Sequence, residues 1–473
     1  MVFMGGEASM SETYDLIIKN GRVVLPDRVA RLDIAVSSGR IALLAEDLDR
    51  RLGKTVLEAE GQYVLPGMID AHVHFNEPNF GHWEGFASGS AALAAGGCTT
   101  YIDMPLNGNP PTVSLPALAL KAKRAAGRSA VDYAFWGGLV PGNTGELEKL
   151  WAAGVPAFKA FISNPGGEGE GRFREVDDAT LYEGMATIAE FGGLLALHAE
   201  SDAVTAVLGE AAVRSGRTGA RDFAASRPPL AELEAVARAL LYGERTGCRL
   251  HFVHISTAAA VELIDAAKRR GQDVSVETCP HYLLLTEEDM ARLGPVAKCA
   301  PPLRSPEERE KLWQALAAGK IDLVASDHSP CPPELKLDPE LSFFAAWGGI
   351  SGAQSSLELM FHEGVNRRGL PVPLIARLLA ASPAERFGMA ERKGTIAVGL
   401  DADLVLLHPD MPYVLQAENL LYRHRMSPYT GMPLSCRVTA TLLRGRLVYS
   451  LESGLIAPGS GEPVRLGNRE PVR

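Results

Sequence analysis

The sequence has few of the features that mark a secreted, disulfide-bonded or membrane protein. Its six cysteines are scattered and include no Cys-x-x-Cys pair; they are Cys98, Cys248, Cys279, Cys299, Cys331 and Cys436. This pattern is typical of reduced thiols in a cytoplasmic protein rather than of a disulfide framework. The first ten residues contain no basic or apolar segment, and no apolar run approaches the length of a membrane span. We therefore expect neither a signal peptide nor membrane insertion.

Basic charge is also scarce. The chain carries 47 Lys and Arg against 57 Asp and Glu, which gives a net charge of −10. This balance argues against a nucleic acid or an anionic membrane as the main partner. With 473 residues, 46% of them hydrophobic and 22% charged, the chain is an ordinary globular protein longer than one average domain.

Hydrophobic periodicity in the middle of the chain predicts an α/β fold. Apolar runs alternate there with helical segments; the runs are 63–69, 99–104, 131–139, 155–162, 194–198, 249–255, 273–278 and 321–326. Continuous apolar strands alternating with helices indicate a parallel sheet that is covered on its outer face. Eight such units predict a TIM-like (β/α)8 barrel over residues 63–387, with its chemistry at the C-terminal strand ends.

Short alternating strands at both ends of the chain predict a second, smaller domain. Residues 11–62 and 388–451 have this pattern of short alternating strands, with turn signals at Asn20-Gly21 and Arg444-Gly445. We expect the two segments to pair into one discontinuous β-sandwich beside the barrel. Residues 452–473 are expected to form a C-terminal tail. From Pro458 this tail has little periodicity, and we expect that part to be mobile or part of a subunit contact.

Candidate metal ligands fall at the ends of the predicted barrel strands. Residues 66–74 read Pro-Gly-Met-Ile-Asp-Ala-His-Val-His, and side chains two apart on a strand share one face, so His72 and His74 point the same way. Imidazole is a common ligand for zinc and similar ions. Strands five, six and eight end near His198, His254 and Asp327. Each could be an ordinary packed or turn residue by itself, but together at one barrel mouth they predict a metal site.

Lys159 lies inside an apolar strand, where lysine is rarely buried unless it is paired. Three interpretations are open: a lysine whose amine reaches solvent at the strand end, a Schiff-base lysine, or a lysine carboxylated by CO2 that bridges two metals. The neighbouring histidines and aspartate favour the third, because two cations stabilise a carbamate and oppose an ammonium.

This set of residue types suits hydrolysis of an amide-like C–N bond. Two divalent ions bridged by hydroxide lower the pKa of water and polarise a carbonyl. Neutral imidazoles hold the ions without cancelling their charge. One carboxylate, Asp327, takes the proton from the nucleophile and returns it to the leaving nitrogen as general base and acid. We expect zinc, with cobalt, manganese or iron as alternatives.

From about residue 14 to residue 451 the chain resembles the cyclic amidohydrolases of the metal-dependent amidohydrolase superfamily. These are the dihydroorotases, the dihydropyrimidinases or hydantoinases, and the allantoinases. The resemblance rests on His72, His74, Lys159, His198, His254 and Asp327. It implies the barrel with its small β domain, a binuclear metal centre, N6-carboxylysine at position 159, bicarbonate or CO2 to form it, and a cytoplasmic homotetramer.

Further motifs are most similar to those of the allantoinases. They are His-Trp-Glu-Gly at 82–85, Asp-Met-Pro-Leu-Asn at 103–107, Gly-Val-Pro-Ala-Phe-Lys-Ala-Phe at 154–161 with Ser-Asn at 163–164, Thr-Cys-Pro-His-Tyr-Leu at 278–283, Lys-Cys-Ala-Pro-Pro-Leu-Arg at 298–304, Ser-Asp-His-Ser-Pro-Cys at 326–331 and Ala-Trp-Gly-Gly-Ile at 346–350. Dihydroorotases resemble the chain at His72 and His74 but carry an arginine where this chain has Asn76. The resemblance therefore implies hydrolysis of allantoin, which has no carboxylate, to allantoate in purine breakdown.

Two alternatives stay open at this point: a hydantoinase-type enzyme with the same metals, and a catalytically silent scaffold of the same fold. The resemblance also places Cys299 and Ser329 near the substrate, and Asn76 and Asn107 are further candidates. Asn76 could instead shape a turn, and Cys299 could be a packed thiol. The glycine-rich loop at 164–174 follows the Lys159 strand, and we expect it to close over substrate, although an ordinary surface loop is an alternative.

Overall fold

The strands of the two chain ends form a β unit beside a barrel of parallel strands. The computed structural model describes residues 13–166 and 171–466. Its strands in chain order are β1 (Tyr14–Val24), β2 (Val29–Ser37), β3 (Arg40–Ala45), β4 (Gly53–Glu58), β5 (Tyr63–Pro66), β6 (Met68–Val73), β7 (Cys98–Asp103), β8 (Asp132–Phe135), β9 (Gly137–Gly138), β10 (Phe158–Phe161), β11 (Leu194–His198), β12 (Arg249–Phe252), β13 (Val274–Thr278), β14 (Leu323–Val324), β15 (Leu404–His408), β16 (Tyr413–Val414), β17 (Pro433–Leu434), β18 (Arg437–Leu443), β19 (Arg446–Ser450) and β20 (Gly454–Leu455).

The helices lie mainly between the barrel strands, as the alternating pattern predicts. They are α1 (Phe86–Ala95), α2 (Leu115–Ala125), α3 (Thr144–Ala152), α4 (Asp178–Glu190), α5 (Asp202–Arg214), α6 (Ala220–Ser226), α7 (Pro229–Thr246), α8 (Ala258–Arg269), α9 (Pro280–Leu284), α10 (Glu287–Leu293), α11 (Pro306–Ala317), α12 (Ser356–Met360), α13 (Val372–Ala376) and α14 (Ser382–Arg386). Within the described ranges, no helix combines the length and apolar character needed to span a membrane.

Both chain termini contribute to one sheet. Its strand order is β20-β19-β18-β15-β5-β1-β2-β3, with β4 paired to β1. Strand β3 also bonds to the C-terminal segment, because the Ile41 amide donates to the Leu400 carbonyl. Buried residues from both ends, including Ile34 and Leu404, share one hydrophobic cluster. The α/β fold class with a β domain built from both termini is confirmed.

The apolar run that sequence analysis assigns to the first barrel strand is divided between two sheets. Tyr63–Pro66 pairs with β1 and β15, and the barrel strand begins only at Met68. Gly67 makes this junction possible, since a Cβ there would lie 2.2 Å from the Thr99 hydroxyl. The prediction of a single strand over 63–69 was therefore wrong at its start, because hydrophobicity does not distinguish the two sheets.

The barrel strands are parallel and follow one another in chain order. β8 and β9 together form the third strand, since the Trp136 amide bonds to the carbonyl of Asp103 and the Gly137 amide to that of Ala157. β10 to β14 continue the order. The first and eighth strands meet where Val73 forms a parallel bridge with His328, and the His74 amide donates to the His328 carbonyl over 2.8 Å. All eight strand ends therefore surround one mouth.

The described residues past 451 contact both the terminal sheet and the barrel. β20 pairs with β19, and Pro463 forms a parallel bridge with Tyr133 of β8. The Val464 amide donates to the Tyr133 carbonyl over 2.8 Å. The expectation of a mobile tail was wrong for this part, because backbone hydrogen bonds do not require periodic side chains. Residues 467–473 lie outside the described part of the chain.

A buried ionic cluster joins the barrel to the terminal sheet. The Lys393 amine lies 2.8 Å from Asp132 of β8 and 2.5 Å from Asp403, beside β15. The Arg444 guanidinium also contacts Asp132. Burial of Asp403 raises its pKa, although the Lys393 ammonium opposes this rise. Charges buried in this way stabilise the interface only while each keeps its partner.

Candidate metal centre

Three predicted ligands meet at the seam between the first and eighth strands. The Asp327 Oδ1 atom lies 3.2 Å from His72 Nε2 and 3.4 Å from His74 Nε2. One ligand atom from each residue falls within 4.8 Å of the others, and all three residues are buried at the centre. This spacing matches ligands that share one ion, since nitrogens about 2.1 Å from a tetrahedral ion are roughly 3.3 Å apart.

The other two histidines form a second pair beside the first. His198 Nδ1 lies 3.0 Å from His254 Nε2, and the ring centroids of His72 and His254 are 5.4 Å apart. His198 ends β11, and His254 follows β12 by two residues. The structure therefore brings all four predicted histidines to one mouth as two adjacent pairs.

Lys159 lies among these groups, and its amine is 5.0 Å from the centroid of the Phe161 ring. Its side chain is fully buried in β10, and its amine has no hydrogen-bond partner among the described residues. Burial lowers the pKa of Lys159 to about 8, although the carboxylates of Asp327 and Glu277 oppose the shift. A buried ammonium without a hydrogen-bond partner is costly, so near pH 7 a larger fraction of this amine is neutral and open to modification than of an exposed lysine.

The protonation states suit metal binding. Burial lowers the pKa of His74 to about 4 and that of His254 well below its ordinary value, so both imidazoles are neutral at pH 7. Burial opposes ionisation of Asp327, but the His72 and His74 rings outweigh it and hold the carboxyl pKa well below its usual range. Neutral imidazoles and an ionised carboxylate are the forms that bind divalent cations.

Two of these residues adopt an unusual backbone conformation. His254 has φ of 42° and Asp327 has φ of 46°, both in the left-handed region. For residues other than glycine this region costs roughly 1–2 kcal/mol. Such conformations cluster at functional sites, where the surrounding structure enforces them. Here each one lies just beyond a barrel strand and directs a ligand into the mouth.

Sequence analysis missed the carboxylates that orient these ligands. Glu277 of β13 accepts from His72 Nδ1 over 2.8 Å and also contacts His251 Nε2 at 3.3 Å. This bond leaves His72 Nε2 free to face the centre. Glu277 is a charged residue within a buried strand, as Lys159 is, and that signal could have found it. Asp70 accepts from the His72 amide over 3.2 Å and the Ser326 amide over 3.1 Å, which joins the two seam strands.

A cavity of about 390 Å³ opens over the ligands. Asn107 and Ser329 are in its lining, and Asn76 and Cys299 are buried outside the lining. The Ser329 hydroxyl donates to Asp327 Oδ1 over 3.3 Å. Asn107 Nδ2 lies 3.4 Å from His74 Nδ1. The structure therefore places two of the four predicted substrate residues at the cavity surface.

The two other candidates have contacts within the protein. Asn76 Nδ2 donates to the Pro330 carbonyl over 3.3 Å, and its φ of 64° is left-handed, as in a turn. Burial raises the pKa of the Cys299 thiol to about 12, which leaves it neutral. The glycine-rich loop is only partly described: Pro165 and Gly166 line the cavity, and residues 167–170 lie outside the described residues.

Comparisons with known proteins identify the family of this chain. Residues 63–448 match the model of the Amidohydrolase family. The chain is 49% identical over 454 residues to a protein of Rubrobacter xylanophilus named allantoinase, covering 96% of this chain and 98% of the relative. It is 44% identical over 451 residues to an allantoinase of Salmonella choleraesuis, covering 95% and 98%.

Solved structures of hydantoinases have the same overall architecture. The L-hydantoinase (dihydropyrimidinase) of Arthrobacter aurescens superposes with a TM-score of 0.91 at 36% identity, covering 96% of this chain and all of that one. A D-hydantoinase from Thermus sp. superposes with a TM-score of 0.88 at 30% identity, covering 95% and 99%. The family match spans most of the chain, and the relatives match almost end to end. The chain belongs to the amidohydrolase family.

Proposed function

We propose that this protein hydrolyses the cyclic amide bond of allantoin to give allantoate. The observation that carries the proposal is the convergence of four histidines and Asp327 on one cavity, in a chain 49% identical over nearly its full length to a protein named allantoinase. A cavity of about 390 Å³ is within the size range of small-molecule sites.

Two divalent ions, zinc in the first place, would supply an activated water and polarise the amide carbonyl. The donors that would hold them are His72, His74, Lys159, His198, His254 and Asp327. Asp327 would take a proton from the attacking water and deliver it to the leaving ring nitrogen. The Ser329 hydroxyl, 3.3 Å away, helps to fix the orientation of that carboxylate.

Carboxylation of Lys159 is part of the proposal. The free amine adds to CO2, a proton leaves, and an anionic carbamate with two oxygen donors results. The full burial of this amine and its lack of a hydrogen-bond partner among the described residues support the modification, since the carbamate would gain ligands that the ammonium does not have.

The cavity lining suggests how the substrate is held. We propose that Asn107 and Ser329 contact the ring or the ureido arm, because both are polar groups in the wall. Asn76 and Cys299 would then affect the substrate only indirectly, since both are buried outside the cavity lining. Asn76 would do so through its hydrogen bond to the Pro330 carbonyl. The predicted homotetramer and the cytoplasmic location remain predictions from the family resemblance.

A second candidate is a hydantoinase, which the TM-score of 0.91 with the Arthrobacter aurescens enzyme favours. A side-by-side rate assay separates the two functions. Protein loaded with zinc and bicarbonate is given allantoin, hydantoin, dihydrouracil and dihydroorotate, and chelated protein is the control. We expect allantoin to have the highest kcat/KM. A preference for hydantoin or dihydrouracil would favour the hydantoinase function over the allantoinase function. No turnover of any of the four compounds with metal bound would refute the substrate class.

A further inference from the structure

We propose that Glu200 is a positioning residue for one half of the metal centre: it holds His198 so that Nδ1 faces the ion shared with His254. The inference rests on the proposed binuclear function and names a residue that acts only through His198. Glu200 follows His198 by two residues, beyond the end of β11, and its side chain is fully buried.

The contacts of Glu200 define its effect on the imidazole. Glu200 Oε2 lies 3.0 Å from His198 Nε2 and 2.6 Å from Arg227 Nη1. An ionised carboxylate only accepts hydrogen bonds, so the His198 proton resides on Nε2 and Nδ1 carries the lone pair. That Nδ1 lone pair is the one that faces His254 Nε2 at 3.0 Å. Glu200 thus selects both the tautomer and the ring orientation that an ion requires.

The His72 and His198 imidazoles are oriented by different carboxylates, although Glu277 Oε1 also accepts from the His254 backbone amide over 3.3 Å. Glu277 bonds to His72, and Glu200 bonds to His198. No described hydrogen bond links these two carboxylates to the same imidazole. Loss of one carboxylate should therefore weaken one ion more than the other. A residue that served only to stabilise the barrel would not discriminate between the ions.

A charge-balanced cluster behind the second pair makes this arrangement rigid. Arg227 neutralises Glu200, and Arg304 Nη1 donates to the Arg227 carbonyl over 2.6 Å. Arg304 Nε donates to the Ser256 hydroxyl over 3.0 Å. Glu232 accepts from the backbone amides of Ser256 and of the following threonine, each over 3.0 Å. The segments that follow His198 and His254 are thereby tied to one buried network.

Arg227 also lines the cavity, so the network reaches the substrate side of the wall. Replacing Arg227 with methionine leaves Glu200 buried without its cation. We expect this change to weaken the same ion as loss of Glu200 does. It should also raise KM for allantoin, because the lining of the cavity changes.

The test counts ions rather than turnover. Wild type, Glu200→Ala, Glu200→Gln and Glu277→Gln are stripped with chelator, reloaded with cobalt and bicarbonate, and assayed for the affinity of each ion and the visible cobalt spectrum. Glu183→Gln, on the exposed side of α4, is the matched control. We expect Glu200→Ala to weaken one ion about a hundredfold and Glu200→Gln about tenfold, since glutamine still accepts a hydrogen bond. Glu277→Gln should weaken mainly the ion held by His72, with a different spectral change, because its bond to the second pair is only to the His254 backbone amide.

Several outcomes would overturn the inference. Both ions bound by the Glu200 variants as tightly as by wild type would do so, and so would equal loss of both ions from a protein with an unchanged circular dichroism spectrum. If the alanine variant does not fold, the glutamine variant decides alone by the same criterion. Wild type that binds no metal would instead refute the proposed function, so the two failures are distinguishable.

Discussion

Replacing Lys159 with methionine should stabilise the metal-free protein and destabilise the metal-loaded protein. Without metal, the amine is buried, and burial lowers its pKa from the ordinary 10.5 to about 8. The unfolded chain keeps the ordinary value. At about 1.4 kcal/mol per pKa unit, the protonated lysine weakens the folded state by about 3 kcal/mol at pH 7. Methionine has a similar length and carries no charge, so the variant should regain most of this free energy.

The pH dependence of this gain has a definite sign. Below pH 8 both the folded and the unfolded wild type hold the proton, so the full penalty applies. Between pH 8 and 10.5 only the unfolded state binds the proton, and the stability of wild type rises with pH. The advantage of the Lys159→Met variant should therefore be largest at pH 7 and should be small by pH 10.5.

Metal reverses the order of stabilities. A ligand that binds only the folded state at a concentration 1,000 times its Kd adds about 4 kcal/mol. Wild type should gain this from zinc with bicarbonate, and the Lys159→Met variant, which cannot form the carbamate, should gain little. The measurement is the urea midpoint of each protein, after chelation and after loading.

A second buried lysine provides the control. Lys121 lies 2.5 Å from the Asp103 carboxylate, so Lys121→Met leaves a buried charge unpaired and should destabilise the chelated and the loaded protein alike. A Lys159→Met variant that is less stable than wild type when both are chelated at pH 7 would refute the reasoning, and so would a gain that does not change with pH.

Three further changes test other parts of the structure. Asp327→Asn should lower kcat by about a hundredfold to ten-thousandfold with an unchanged circular dichroism spectrum, and a smaller loss would remove Asp327 as the proton carrier. Lys393→Met should lower the free energy of unfolding by about 3–5 kcal/mol, because Asp132 and Asp403 lose their shared cation; a urea midpoint equal to that of wild type would contradict this. Burial raises the pKa of Glu358 to about 7, so the folded state holds a proton that the unfolded state, at 4.5, has lost. Wild-type stability should thus fall as pH rises from 4.5 to 7, and the urea midpoint of Glu358→Gln should lack this contribution.

The sequence is informative where the signal is local and periodic. Alternation of apolar runs with helices predicts the barrel, and the position of His198 at a strand end predicts its place at the mouth. The same logic fails at Tyr63–Pro66, because an apolar strand of the terminal sheet precedes the barrel strand with only Gly67 between them. Which sheet a strand joins depends on partners far along the chain.

Residues that orient the ligands were harder to predict, since their partners are distant. Glu277 and His72 are 205 residues apart, and no local pattern relates them. Arg227 contacts Glu200 only because α6 and the following turn lie over the end of β11. The candidate substrate residues Asn107 and Ser329 came from resemblance rather than from any spacing. Their place in the cavity wall depends on the path of loops, which composition does not determine.

The seam between the first and eighth strands has a consequence for assembly. His72 and His74 lie on one side of it and Asp327 lies on the other, and their ligand atoms come together only once Val73 and His328 have paired. These are the two ends of the barrel in chain order, so their contact closes the largest loop of the domain. The three-residue ligand set therefore forms only when the ring is complete. Tight metal binding would then occur only after folding. A bound ion would link the first and eighth strands and oppose their separation.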